Sequence, residues 1–148
     1  MDRFKVFTNS ILKINRIINQ IKSFEMKKYE LSNTAVACIY YLYHTPSLTS
    51  KELVCLCSED KAAISRALKS LEEKGYIIFL ETDLKKRYNT KVTLTDSGNA
   101  IAATLNDKID HVFEQCGKEL DDNERKIFYN SLNKIASSLE EYKSNYEV

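Results

Sequence analysis

Lys61, Ala62, Ala63, Ser65, Arg66 and Lys69 crowd into nine positions of one segment, DKAAISRALKSLEEKGYI, residues 60–77. Ile64, Leu68 and Leu71 recur there at helical spacing and form one apolar stripe. The opposite face carries Ala62, Ser65, Arg66 and Lys69, with no acid before Glu73. Methyl groups, a hydroxyl, a guanidinium and an ammonium together allow close approach and supply hydrogen-bond donors. Such a face suits an anionic, acceptor-rich surface. Asp60 can cap the helix start. The N–H groups and positive dipole end beside Lys61 favour a phosphate there. A second basic group lies at 85–91, KKRYNTK, where Lys85, Lys86, Arg87 and Lys91 flank Tyr88 without an acid.

The other reactive side chains form no signature. Cys55 and Cys57 have chelating spacing, but on a helix they point about 200° apart and cannot grip one ion. Cys38 and Cys116 fall on apolar stripes and read as buried thiols. His44 and His111 read as surface histidines, and no metal site is expected. There is no Gly-rich phosphate loop, HExxH or G-x-S-x-G, so no catalytic residue, cofactor or enzymatic activity is expected.

The elements that must position these groups follow from composition and periodicity. The chain has 148 residues, 43% hydrophobic and 29% charged, with only 3 Gly and 1 Pro, which favours long helices and few turns. Its net charge of +1 hides sorting along the chain, because residues 114–125 hold five acids against Lys118 and Arg125. No apolar run approaches the ~20 residues of a membrane span, and no secretory signal is visible, so a cytoplasmic location is expected. A first helix spans 2–24 with Phe4, Phe7, Ile11, Ile14, Ile18 and Ile21 on a heptad seam. A second spans 32–44, capped by Ser32 or Asn33. Thr49 and Glu52 form a capping box opening a short third helix at about Ser50, with Leu53, Leu56 and Cys57 inward. The fourth helix ends at Gly75, the usual left-handed cap. YIIFL (76–80) and KVTLT (91–95) are strand candidates joined by an extended polar tip. Thr95 caps a fifth helix to about Cys116, with Ile101, Leu105, Val112 and Cys116 on its stripe. Asp121 or Asp122 opens the last, where Phe128, Leu132, Ile135, Leu139 and Tyr142 repeat the heptad.

Two short helices around a tight turn, followed by a basic-tipped hairpin, make a helix-turn-helix with a wing. The fourth helix then faces a DNA major groove, and the wing faces the minor groove or backbone. Residues 33–97 resemble the winged helix-turn-helix of the MarR family of regulators. KEL in the third helix, DKAAISRALKSLEEKGYI, and KVTLTDSG leaving the wing carry the resemblance. The flanking helices complete the family layout, so it spans the whole chain. The resemblance implies a mainly α, winged-helix (α+β) fold. A DNA-binding lobe at 33–97 joins a helical dimerisation region at 1–30 and 98–148 in a single protomer. It implies a homodimeric regulator, usually a repressor, on a pseudo-palindromic double-stranded operator. Lys61, Ala62, Ala63, Ser65, Arg66 and Lys69 would read bases and phosphates. Lys85, Lys86, Arg87 and Tyr88 would form the wing contact, and Thr49, Ser50 and Lys51 a backbone contact. Many members carry Asp two residues before the wing Arg, where this chain has Lys85, and Gly where it has Ser58.

The heptad seams assign Phe4, Phe7, Ile11, Ile14, Ile18, Leu132, Ile135 and Leu139 to dimerisation, although the first helix alone is equally compatible with packing inside one protomer. Phe24, Tyr40, Tyr43 and His44 are the candidates for a small-molecule effector pocket, with ordinary core packing as the competing account. Two other functions stay open: a winged-helix protein-interaction module without DNA affinity, and a thiol- or metal-sensing member of the same class.

Overall fold

The computed structural model describes residues 2–80 and 89–146. In chain order the elements are α1 (Arg3–Met26), α2 (Asn33–His44), β1 (Leu48–Thr49), α3 (Ser50–Cys57), α4 (Lys61–Glu73), β2 (Ile77–Phe79), β3 (Lys91–Leu94), α5 (Asp96–Cys116) and α6 (Asp122–Ser144). The chain divides into two compact units, residues 1–109 and 110–148.

Short-range caps set most boundaries in the first unit. The Ser32 hydroxyl accepts from the Ala35 N–H and opens α2. At α3 the capping box is complete. Thr49 donates to Glu52 Oε2 from its N–H at 2.7 Å and its hydroxyl at 3.0 Å, and the Glu52 N–H returns to Thr49 Oγ1 at 3.1 Å. Those bonds hold the Glu52 carboxyl below the usual carboxylate range. A depressed folded value means the box supports α3 at neutral pH and loses that support as pH falls through it. Asp60 caps α4 through the Ala63 N–H at 2.7 Å.

The sheet has three strands, not two. β1 pairs antiparallel with β3, Leu48 opposite Val92, and β2 pairs on the other side, Ile77 opposite Leu94. β1 escapes the sequence because two residues carry no period; pairing alone defines it. The core of this unit gathers Met26 from α1, Val36, Ile39 and Leu42 from α2, Leu53 from α3, and Ile64, Leu68 and Leu71 from α4. Each full burial of such a side chain contributes ~1.5–3 kcal/mol. Ile77, Val92, Ile101 and Leu105 close it from the sheet and α5. Leu56 does not join, being 41% exposed. At eight residues α3 is too short to bury a wide stripe, and Leu53 and the half-buried Cys57 take the inward positions.

The end of α4 is tied to the start of α5. Gly75 takes φ +74°, and its carbonyl accepts from the Thr95 hydroxyl at 2.6 Å and the Ser97 hydroxyl at 3.0 Å. Thr95 Oγ1 also accepts from the Gly98 N–H, capping α5. A Cβ on Gly98 would overlap the Tyr76 carbonyl. Ser58, which ends α3, sits at φ +53°, the left-handed conformation that glycine adopts without strain.

In the second unit Asp121 caps α6, and Glu124 completes a capping box. Arg125 Nη2 donates to the carbonyls of Gly117 and Leu120, closing the turn before α6. No residue of α6 is buried. Cys116 is exposed rather than buried, since the buried stripe of α5 stops at Ile109.

Gly98→Ala should cost roughly 1–3 kcal/mol of unfolding free energy in chemical denaturation, the usual penalty of overpacking. Ser58→Gly should leave stability unchanged or raise it by up to about 1 kcal/mol, as relieved strain offsets lost backbone restriction. A Ser58→Gly loss above that size would show that Ser58 is held by something other than its backbone conformation.

Candidate nucleic-acid interface

The site is built on α4. Ile64, Ala67, Leu68 and Leu71 anchor the helix in the core. That burial turns Lys61, Ala62, Ser65, Arg66 and Lys69 outward, and all five are exposed. Ala63 is half-buried, at the border of the two faces. Among the described residues Arg66 has no ion-pair partner. Lys69 lies 3.9 Å from Glu73 with both side chains exposed, a pairing that water and salt screen to little net energy. Arg66 and Lys69 of this face thus stay available to an incoming anion.

A cleft of about 310 Å³ runs beside this face, lined by Ser50, Lys61, Ser65, Leu68, Lys69 and Phe79, with Glu72 and Glu73 also on its wall. The three residues assigned at the α3 start divide. Lys51 is exposed, the Thr49 hydroxyl is held in the capping box, and Ser50 is buried at 7% exposure. Lys51 is therefore the one long cation there, and Ser50 reaches the cleft only at its wall. Lys91, at the start of β3, is exposed and its charge bears on Glu52. The wing residues Lys85, Lys86, Arg87 and Tyr88 lie outside the described residues.

Of the four residues assigned to an effector pocket, Tyr40, Tyr43 and His44 form one aromatic cluster. His44 stacks edgewise on Tyr40 at 4.6 Å and on Tyr43 at 5.4 Å, and Lys22 Nζ sits 3.8 Å over the Tyr40 ring. Phe24 is 77% exposed and lines a separate open groove with Leu12, Arg16, Asn19 and Asn33. Of the seam residues, Phe4, Phe7, Ile11, Ile14, Ile135 and Leu139 are exposed by 36–77%, and Ile18 and Leu132 are half-buried.

One cluster has no signal in the sequence. Cys38 of α2 and Cys57 of α3 act on each other's titration, Cys38 being pushed up and Cys57 held down. Their helices pack together, but no periodic pattern links positions on different helices. Cys55, two residues from Cys57, faces solvent, as the helical rotation requires.

The MarR family model matches residues 31–83. The chain is similar to the HTH-type transcriptional regulator SarZ of Staphylococcus haemolyticus, 29% identical over 120 residues that cover 81% of this chain and 80% of that one. It is similar to the HTH-type regulator YybA of Bacillus subtilis, 23% identical over 127 residues, 86% and 84% of the two chains. Among solved structures, a MarR transcriptional regulator from Methanosarcina mazei superposes with a TM-score of 0.81 at 19% identity, covering 96% of this chain and 94% of that one. A MarR-type protein of Listeria monocytogenes solved in complex with a 26mer DNA gives 0.75 at 20%, covering 89% and 87%. The helix-turn-helix geometry and these likenesses agree: the chain has the fold of the MarR-family winged-helix proteins, with the family model matching its residues 31–83.

Proposed function

We propose that the chain is a sequence-specific, dimeric DNA-binding repressor that a signal releases from its operator. The observation that carries this is the outward face of α4, where small residues, a hydroxyl and exposed cations stand on a helix fixed from behind by Ile64, Leu68 and Leu71. Ala62 gives clearance. Arg66 is suited to a bidentate contact with guanine, and Ser65 to either a base or a phosphate. Lys51, Lys61 and Lys69 supply phosphate contacts that set register. Arg87 on the wing, by resemblance, reaches the minor groove. The DNA-bound Listeria relative supports the same docking.

The exposed apolar seams of α1 and α6 support a homodimer, because a monomer in water leaves them uncovered. Two copies would set their α4 helices in successive major grooves, ~34 Å apart. Release would follow from a change in the separation of the two lobes. Phe24 and the Tyr40–Tyr43–His44 group, being apart, would act in such a change from separate places rather than as one pocket.

Selection of bound duplexes from a random pool should enrich an inverted repeat with half-sites about ten base pairs apart. Against that duplex Arg66→Ala should lose roughly 5- to 150-fold in affinity, the worth of one bidentate base contact. Lys69→Ala should lower the slope of log affinity against log salt by ~0.9. Unchanged binding in folded Arg66→Ala and Arg87→Ala variants would remove these residues from the interface. A folded protein that enriches no duplex, with or without candidate effectors, would favour the interaction-module reading. Ile14→Asp and Leu139→Asp should shift the sedimentation coefficient to that of a monomer; a dimer in both would place the interface elsewhere.

A further inference from the structure

The α1 helix carries a polar surface separate from the α4 face and from its own apolar seam. It walls an open groove of about 810 Å³, with Asn33, the first residue of α2, lining the other side. That volume is in the range that small ligands occupy. At ~100° per residue Arg16 is turned about 200° from Ile14, and Lys27 about 180° from Ile18. A partner seated on the seam therefore meets the opposite side of the helix and leaves the groove open.

The lining is uniform in its chemistry. Asn15, Asn19, Gln20 and Asn33 bring carboxamides, Arg16 and Lys27 bring positive charge, and Phe24 brings a ring that is 77% exposed. No carboxylate stands among the described lining residues. The acids nearest in the chain are engaged elsewhere, Glu25 with Lys108 at 3.5 Å and Glu30 with Lys74 at 3.9 Å. A solvated helix face ordinarily mixes both signs of charge, and this one holds cations and amides alone. Its two walls are tied together. The Ser23 hydroxyl lies 2.8 Å from the Asn19 carbonyl and 2.6 Å from Asn33 Oδ1, and shares its proton between them. Asn33 Nδ2 keeps both hydrogens for another acceptor. Among the described residues the side chains of Asn15, Arg16, Asn19, Gln20 and Lys27 have no hydrogen-bond or ion-pair partner.

These groups follow an order along α1. Lys27 and Asn33 stand at the α2 end, beside the first N–H groups of α2, whose first turn holds no acid. Donors and positive charge converging there suit a phosphate. Phe24 lies three residues back, ~4.5 Å along the axis, close to the offset of a base from its own phosphate. Gln20 and Arg16 come one and two turns further. Carboxamide and guanidinium groups pair bidentately with the N6/N7 edge of adenine and the O6/N7 edge of guanine. One exposed ring stacks one base, so the arrangement matches a single nucleotide rather than a strand.

We propose that this groove binds a purine nucleoside monophosphate, with the phosphate on Lys27 and Asn33, the base stacked on Phe24 and its edge on Gln20 and Arg16. The site stands whether or not α4 binds DNA, and it is tested without DNA. The full chain, isotope-labelled for amide NMR, is titrated with AMP, GMP, adenosine and inorganic phosphate. AMP and GMP should shift the amides of residues 19–27 and 33 and reach saturation. Adenosine and inorganic phosphate, each part of the ligand, should bind about tenfold or more weakly, the worth of one charged hydrogen bond. Phe24→Ala should weaken AMP binding by roughly 5- to 150-fold, the worth of one stacked base. Lys27→Gln should bring AMP down to the affinity of adenosine. Lys28→Gln, which removes the same charge one position on, should leave AMP binding unchanged. Phe24, Lys27 and Lys28 are exposed, so these variants keep the core. Shifts that do not saturate, that centre on α4, or that inorganic phosphate reproduces in full would overturn the proposal, as would equal losses in Lys27→Gln and Lys28→Gln.

Discussion

The lobe depends on how closely α5 can approach the end of α4. Gly98 stands against the Tyr76 carbonyl with no room for a side chain, and Thr95 and Ser97 both bond the Gly75 carbonyl. Those contacts fix where α4 stops and where the sheet begins. They also close the core from the side of Ile101 and Leu105. The outward aim of Ser65 and Arg66 follows from this clamp at one end of α4 and from the capping box and tight turn around α3 at the other. A functional face on a short helix needs such rigid ends, because one turn of fraying would move a guanidinium by several ångströms.

What could be read from the sequence was local. Caps at Ser32, Thr49, Asp60 and Thr95 join residues three positions apart, so their signatures survive in a linear string. The α4 stripe was equally plain, since Ile64, Leu68 and Leu71 belong to one helix. Failures came where distance along the chain was large or where an element ended early. β1 exists only through its pairing with β3. Leu56 and Cys116 are exposed because their periodic stripes run past the region that the core covers. Cys38 and Cys57 act on each other's titration from different helices, and nothing in their spacing foretells it.

The lobe and the long helices use apolar side chains differently. In the lobe such residues are covered by the chain itself. On α1 only Met26 is buried, and on α6 nothing is, although both helices are rich in Ile, Leu and Phe. Of the acids in 114–125, Asp121 and Glu124 cap α6 and Asp122 pairs with Arg125.

Helices in proteins owe most of their stability to packing rather than to propensity, and α6 has no buried residue to supply it. In the proposed homodimer the 23 residues of α6 would gain that packing from the partner, so a single chain would offer proteases a longer stretch of loosely held backbone than an assembled one.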